Sequence, residues 1–126
     1  MGFFGSIASL FRKKASDTES GDQLREEALA LLGRGDRDSL DRSIEIMERV
    51  TKLDPNHYGT YLSLSAAYVM RSEQLLKAEP VDRISLTMDV TGGMMALQVY
   101  VAACGQDAQT SLLFSRLKTY AAKAGI

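Results

Sequence analysis

The chain has 126 residues, enough for one domain with one core of ordinary size. It carries 15 Lys and Arg against 16 Asp and Glu, a formal net charge of −1, so no general attraction to nucleic acid is expected. A hydrophobic share of 45% argues against disorder, one cysteine excludes an intrachain disulfide or a thiolate metal cluster, and one histidine leaves little basis for a multi-histidine metal site or a catalytic triad.

The chain opens M-G-F-F-G-S-I-A-S-L-F-R-K-K. Wound at about 100° per residue, Phe3, Phe4, Ile7, Leu10 and Phe11 fall in one arc roughly 120° wide, so residues 1–14 are expected to form an amphipathic helix. Its cations, Arg12, Lys13 and Lys14, follow the apolar stretch, whereas a signal peptide places them before it. The expected compartment is therefore reducing and cytoplasmic. Met1-Gly2 with Ser6 meets the loose myristoylation pattern, but the bulky Phe3 fits that signal poorly. A polar linker, residues 15–21, isolates the helix from the rest of the chain. Its aromatic stripe has three possible shelters. One is a membrane interface, with the three cations on anionic headgroups at the inner face of the membrane. Another is a groove on a protein partner. The third is its own domain.

Residues 22–126 read as helix after helix, with no convincing period-two alternation and no Asn-Gly or Asp-Gly hairpin turn. A first helix is expected from about Asp22, which can cap it, to Leu32, where Gly33-Arg34-Gly35-Asp36 stops it. A second runs from about Ser39 to Leu53, with Leu40, Ser43, Ile44, Met47, Val50 and Thr51 on one face; Pro55 ends it. A third begins at about His57 and reaches Arg71 or beyond. Pro80 interrupts the region that follows. Thr91-Gly92-Gly93 is a second expected break, because two interior glycines cost about 2 kcal/mol relative to alanine. Further helices are expected over residues 94–104 and from an Asp107 cap to Lys123. The weakly charged run 90–106 is too diluted by Thr91, Gly92, Gly93, Gln98 and Gly105 for a membrane span, which needs about 20 predominantly apolar residues, and suits a buried helix.

Residues 39–68 resemble the junction between two tetratricopeptide repeats. Leu53-Asp54-Pro55-Asn56 matches the acidic-proline stop of that family. Tyr61, Leu64, Ser65 and Tyr68 match its aromatic, leucine, small and aromatic opening series, and Ser43, Met47 and Val50 match its second-helix positions. Gly105, Phe114 and Leu117 echo the pattern further on. Units of about 34 residues then fit as 22–55, 56–90 and 91–124. The resemblance implies an all-α fold: antiparallel helix pairs stacked as a short array, preceded here by the N-terminal helix. It also implies a non-enzymatic interaction module whose groove is lined, in the middle unit, by Leu62, Ala66, Val69 and Met70. That groove shows no Lys or Arg clamp for carboxylates, so a hydrophobic or mixed partner segment is expected. The rival expectation is an obligate accessory subunit of a larger, membrane-attached complex, with the N-terminal helix buried in another chain.

No motif points to a cofactor or a metal. Asp36, Asp38 and Asp41 lack the central glycine and terminal glutamate of a calcium loop and suit a helix start. His57 suits a surface or capping role. Cys104 has no cationic neighbour in sequence and suits packing. Met94 and Met95 suit the core of the array, though methionine also serves adaptable surfaces.

Overall fold

The computed structural model describes residues 19–126. The expected helix 1–14 and residues 15–18 of the expected linker lie outside the described residues. Five helices follow in chain order: α1 (Glu19–Arg34), α2 (Arg37–Leu53), α3 (Tyr58–Lys77), α4 (Arg83–Cys104) and α5 (Ala108–Ala124), with no strand among the described residues. The connectors at 35–36, 54–57, 78–82 and 105–107 are short against the helices they join, so consecutive helices run antiparallel. Each helix packs on the next, and α3 also packs on α5 and touches α1. The odd-numbered helices thus share one layer of the array.

Local chemistry sets the ends. Gly35 adopts φ +74°, a left-handed conformation that costs glycine little, and reverses the chain after α1. The Asp36 carboxylate caps α2 by accepting from the Ser39 amide at 3.1 Å, and Asp82 caps α4 by accepting from the Ser85 amide at 3.0 Å. Asp107 and Thr110 form a reciprocal capping box at the start of α5. Asp22 differs from expectation: α1 already includes Glu19–Gly21, so Asp22 lies inside the helix and pairs with Arg25.

Helix α3 supplies both halves of the core. Leu64, Ala67 and Tyr68 join Ala28, Ile44, Ile46, Met47, Val50 and Ala96 in one cluster. Val69 and Leu75 join Leu86, Val90, Leu97, Leu113, Leu117, Tyr120 and Ala124 in the other. Two small polar residues allow close approach: buried Ser43 donates to the Ala28 carbonyl of α1 at 2.7 Å, and Ser65 is fully buried in α3. Gln74 Nε2 donates to the Gly35 carbonyl at 2.7 Å and ties the first turn to α3.

One of the two expected interruptions does not occur. Thr91-Gly92-Gly93 does not break a helix; α4 runs through it without interruption. The glycines are sites of close approach. A Cβ on Gly92 would stand 2.9 Å from Tyr68 Cζ, and one on Gly93 would stand 2.9 Å from Leu117 Cδ2 and 3.2 Å from Tyr68 Cβ. Packing of α4 against α3 and α5 outweighs their helix propensity, a weaker determinant than tertiary contact. The expected unit boundary at residues 90–91 therefore falls inside α4. Pro80 interrupts the helical region as expected: it lies in the 78–82 connector before α4. The described helices form two pairs, α1–α2 and α3–α4, closed by the single helix α5.

Gly93→Ala should lower the unfolding free energy by about 1–2 kcal/mol, because overpacking against fully buried Leu117 exceeds the helix propensity gained. Gly33→Ala, whose new methyl meets nothing within 4 Å, should raise it by about 0.5–1 kcal/mol. Urea unfolding of the two variants checks the opposite signs. A second expectation concerns alkaline pH. Burial, and then a hydrogen bond to Glu73 at 2.6 Å, pushes the Tyr120 phenol up from 10.0 to about 12. Burial and a hydrogen bond to Glu48 raise Tyr68 in the same direction. Both phenols hold their protons longer when folded, so their contribution is complete below pH 10 and is lost as pH rises toward 12. Unfolding free energy should fall over that window, and fall less steeply in Tyr120→Phe.

Candidate interaction surfaces

Three features of the surface could support function. The first is an apolar depression of about 260 Å³ between α1, α2 and the start of α3. Leu29 of α1, Met47 of α2 and Gly59, Thr60 and Ser63 of α3 line it, together with Arg25 and His57. Gly59 and Ser63 sit one turn apart, and their small side chains leave the space open. Leu29 is 51% exposed above it. Arg25 carries its own counter-charges, Asp22 on the same helix and Asp54 at 3.5 Å. His57 Nδ1 lies 2.9 Å from Thr60 Oγ1, which orients the imidazole at the head of α3.

The groove expected at Leu62, Ala66, Val69 and Met70 is not an open surface. Val69 is 2% exposed and belongs to the core cluster shared with α4 and α5. Leu62 and Ala66 are half-buried against the same cluster. Met70 is half-buried and approaches the α1–α2 turn at Gly35. Packing of α4 and α5 on α3 covers Val69 and half-buries Leu62 and Ala66, and the open apolar site lies toward the start of α3 instead. The signal in the sequence was the small pair Gly59 and Ser63. Phe3, Phe4, Ile7, Leu10, Phe11, Arg12, Lys13 and Lys14 lie outside the described residues.

The second feature is the outer face of α4. Ile84 is 76% exposed, Met88 68%, Met95 62% and Val99 39%. At about 100° and 1.5 Å per residue these four fall within an arc of roughly 60° and span about 22 Å. Thr91, Gln98 and Ala102 are exposed on the same side. Between Arg83 and Cys104 the only charged residue is Asp89, which is buried. The helix expected to be buried thus has almost no charge, and the described residues cover it on one side only. Such a helix ordinarily sits inside a protein. Among the described residues none is long and apolar enough to cross a membrane. Met94 is half-buried against the second core cluster, as expected, whereas Met95 points outward. Cys104, expected to pack, is exposed at the end of α4.

The third feature is polar. Arg71 of α3 grips Asp89 of α4 with two nitrogens, at 2.8 and 2.6 Å, and donates to Asp41 of α2 at 2.9 Å. Its guanidinium lies 5.7 Å from the centroid of the Tyr68 ring. Every charge in this group has a partner within the fold, so its role is to join three helices. The three aspartates of the would-be calcium loop separate accordingly: Asp36 caps α2, Asp41 pairs with Arg37 and Arg71, and Asp38 is exposed in the first turn. Among the described residues no three His, Cys, Asp or Glu side chains converge on a metal site.

Removing one partner from the buried pair should be severe. Arg71→Met leaves Asp89, 3% exposed, without its guanidinium, and should cost about 3–5 kcal/mol. Asp41→Ala removes an exposed partner and should cost less than about 1 kcal/mol. Chemical denaturation of the two variants measures the contrast. Compared with protein-family models, curated proteins and solved structures, the chain matches none.

Proposed function

We propose that the protein is a non-enzymatic adaptor of the tetratricopeptide-like kind, which takes up an apolar segment of a protein partner and is tethered to a membrane surface or a second partner by residues 3–14. The observation that carries this reading is the apolar depression between Leu29, Met47 and the Gly59–Ser63 edge of α3. Its volume of about 260 Å³ far exceeds the roughly 30 Å³ share of one water and suits a bulky aliphatic or aromatic anchor. The lining favours a neutral anchor, since Arg25 is already paired and the remaining side chains are apolar, small or hydroxylic. Antiparallel helix pairs sharing a layer of odd-numbered helices are the framework that helical repeats use to present such a site. The tether rests on the sequence of residues 3–14 alone, and a cytoplasmic location on the inner face of a membrane follows from that same segment. The function needs no cofactor.

Selection of a peptide library against the full chain tests the adaptor. Peptides with a bulky apolar anchor should be enriched and should lose at least about tenfold in affinity, about 1.4 kcal/mol, toward Leu29→Asp. Leu29 is half exposed, so this variant should fold. Failure to enrich any peptide, or indifference of the enriched peptides to Leu29→Asp, removes the reading. Sedimentation with phosphatidylserine vesicles tests the tether: the full chain should pellet, and the triple variant Phe3→Ala, Phe4→Ala, Phe11→Ala should not.

A further inference from the structure

We propose that the outer face of α4 is the contact surface for a second copy of this chain, joined antiparallel about a two-fold axis that passes beside Thr91 and Gly92. A closed two-fold contact is reciprocal: if residue i meets residue j of the other copy, j meets i. The exposed stripe has this property in its order along the helix. It reads Ile84, Met88, Met95, Val99, and both pairs are centred between Thr91 and Gly92. Turned end for end, Ile84 faces Val99 of the second copy and Met88 faces Met95 of the second copy. Large apolar side chains thus meet large apolar side chains along about 22 Å of helix, with the threonines near the middle.

No charged side chain interrupts the stripe between Ile84 and Val99, and Arg83 stands at its end. Asp89 is the one charged residue between Arg83 and Cys104, and it is buried under Arg71. Opposed α4 helices also run their dipoles antiparallel, each N-terminus toward the other's C-terminus, a modest favourable term. The stripe continues into a second depression, of about 440 Å³, where Ile84 and Met88 meet Thr87, Arg83, Ala124 and Gly125 at the end of α5. It lies where the Val99 end of the other α4 would arrive. Methionine at the centre of the stripe is suited to such a contact, because its unbranched side chain adapts to its own symmetry mate. This surface shares no residue with the depression at Leu29, so the two proposals stand or fall separately.

Sedimentation equilibrium of the full chain should show a monomer–dimer equilibrium. Met88→Lys with Met95→Lys should yield a monomer with unchanged helical content, both side chains being exposed in the free chain. The Phe3→Ala, Phe4→Ala, Phe11→Ala variant should still dimerise, which separates this surface from association through the apolar N-terminal residues. A crosslink tests the axis itself. In a Cys104→Ser background, Thr91→Cys should form an intermolecular disulfide on mild oxidation. Native Cys104 should not link within the dimer, since the two copies would lie about 37 Å apart along the helices. A chain that stays monomeric at every concentration, a dimer that survives the double lysine variant, or a dimer whose Thr91→Cys form does not crosslink would each overturn the proposal.

Discussion

The arrangement depends on how closely α4 approaches its neighbours at Gly92 and Gly93. With no side chain at either position, the α4 backbone lies against the Tyr68 ring and the Leu117 methyls. One turn earlier on the same helix, Asp89 takes the Arg71 fork, and one turn later Ala96 and Leu97 enter the two core clusters. The inner face of α4 is thus a single strip of small, acidic and apolar residues matched to α3 and α5. Larger groups at the glycines would hold α4 away and lengthen the Arg71–Asp89 contact, exposing a charge pair that is favourable only while its geometry is kept.

Helix α3 works as the axis around which the rest is arranged. It shares one core cluster with α1 and α2 and the other with α4 and α5. Three of its polar side chains reach outward to bind neighbours: Arg71 to α2 and α4, Gln74 to the first turn, and Tyr68 to Glu48. A helix engaged on so many sides has little surface left for a ligand. That is why Val69 is buried and Leu62, Ala66 and Met70 are half-buried, while the open depression occurs near the first turn of α3, at Gly59 and Ser63. The outer layer differs. Helix α4 turns its inner face to α3 and α5, and the described chain supplies no third neighbour for its other side.

Much of the fold was legible because helix ends are written in local chemistry. Asp36, Asp107, Gly35 and Gly105 mark boundaries through side-chain capping and left-handed backbone, which need no knowledge of the rest of the chain. The apolar face of α2 was legible for a similar reason: its other side is polar, so the direction of the core is plain. The depression was less legible, since it arises from three helices meeting and only the small pair Gly59 and Ser63 hints at it.

The sequence by itself determined an all-helical chain, the approximate ends of most of its helices and the apolar character of residues 90–104. Only the tertiary structure decided what the glycine pair and the almost charge-free helix mean. A Gly-Gly step is a weak point in an isolated helix and a contact point in a packed one, and nothing local distinguishes the two. Likewise, an apolar helix with no polar face does not encode which side its neighbours will cover. That depends on how many helices the chain can place around it, and here the described chain covers only one side.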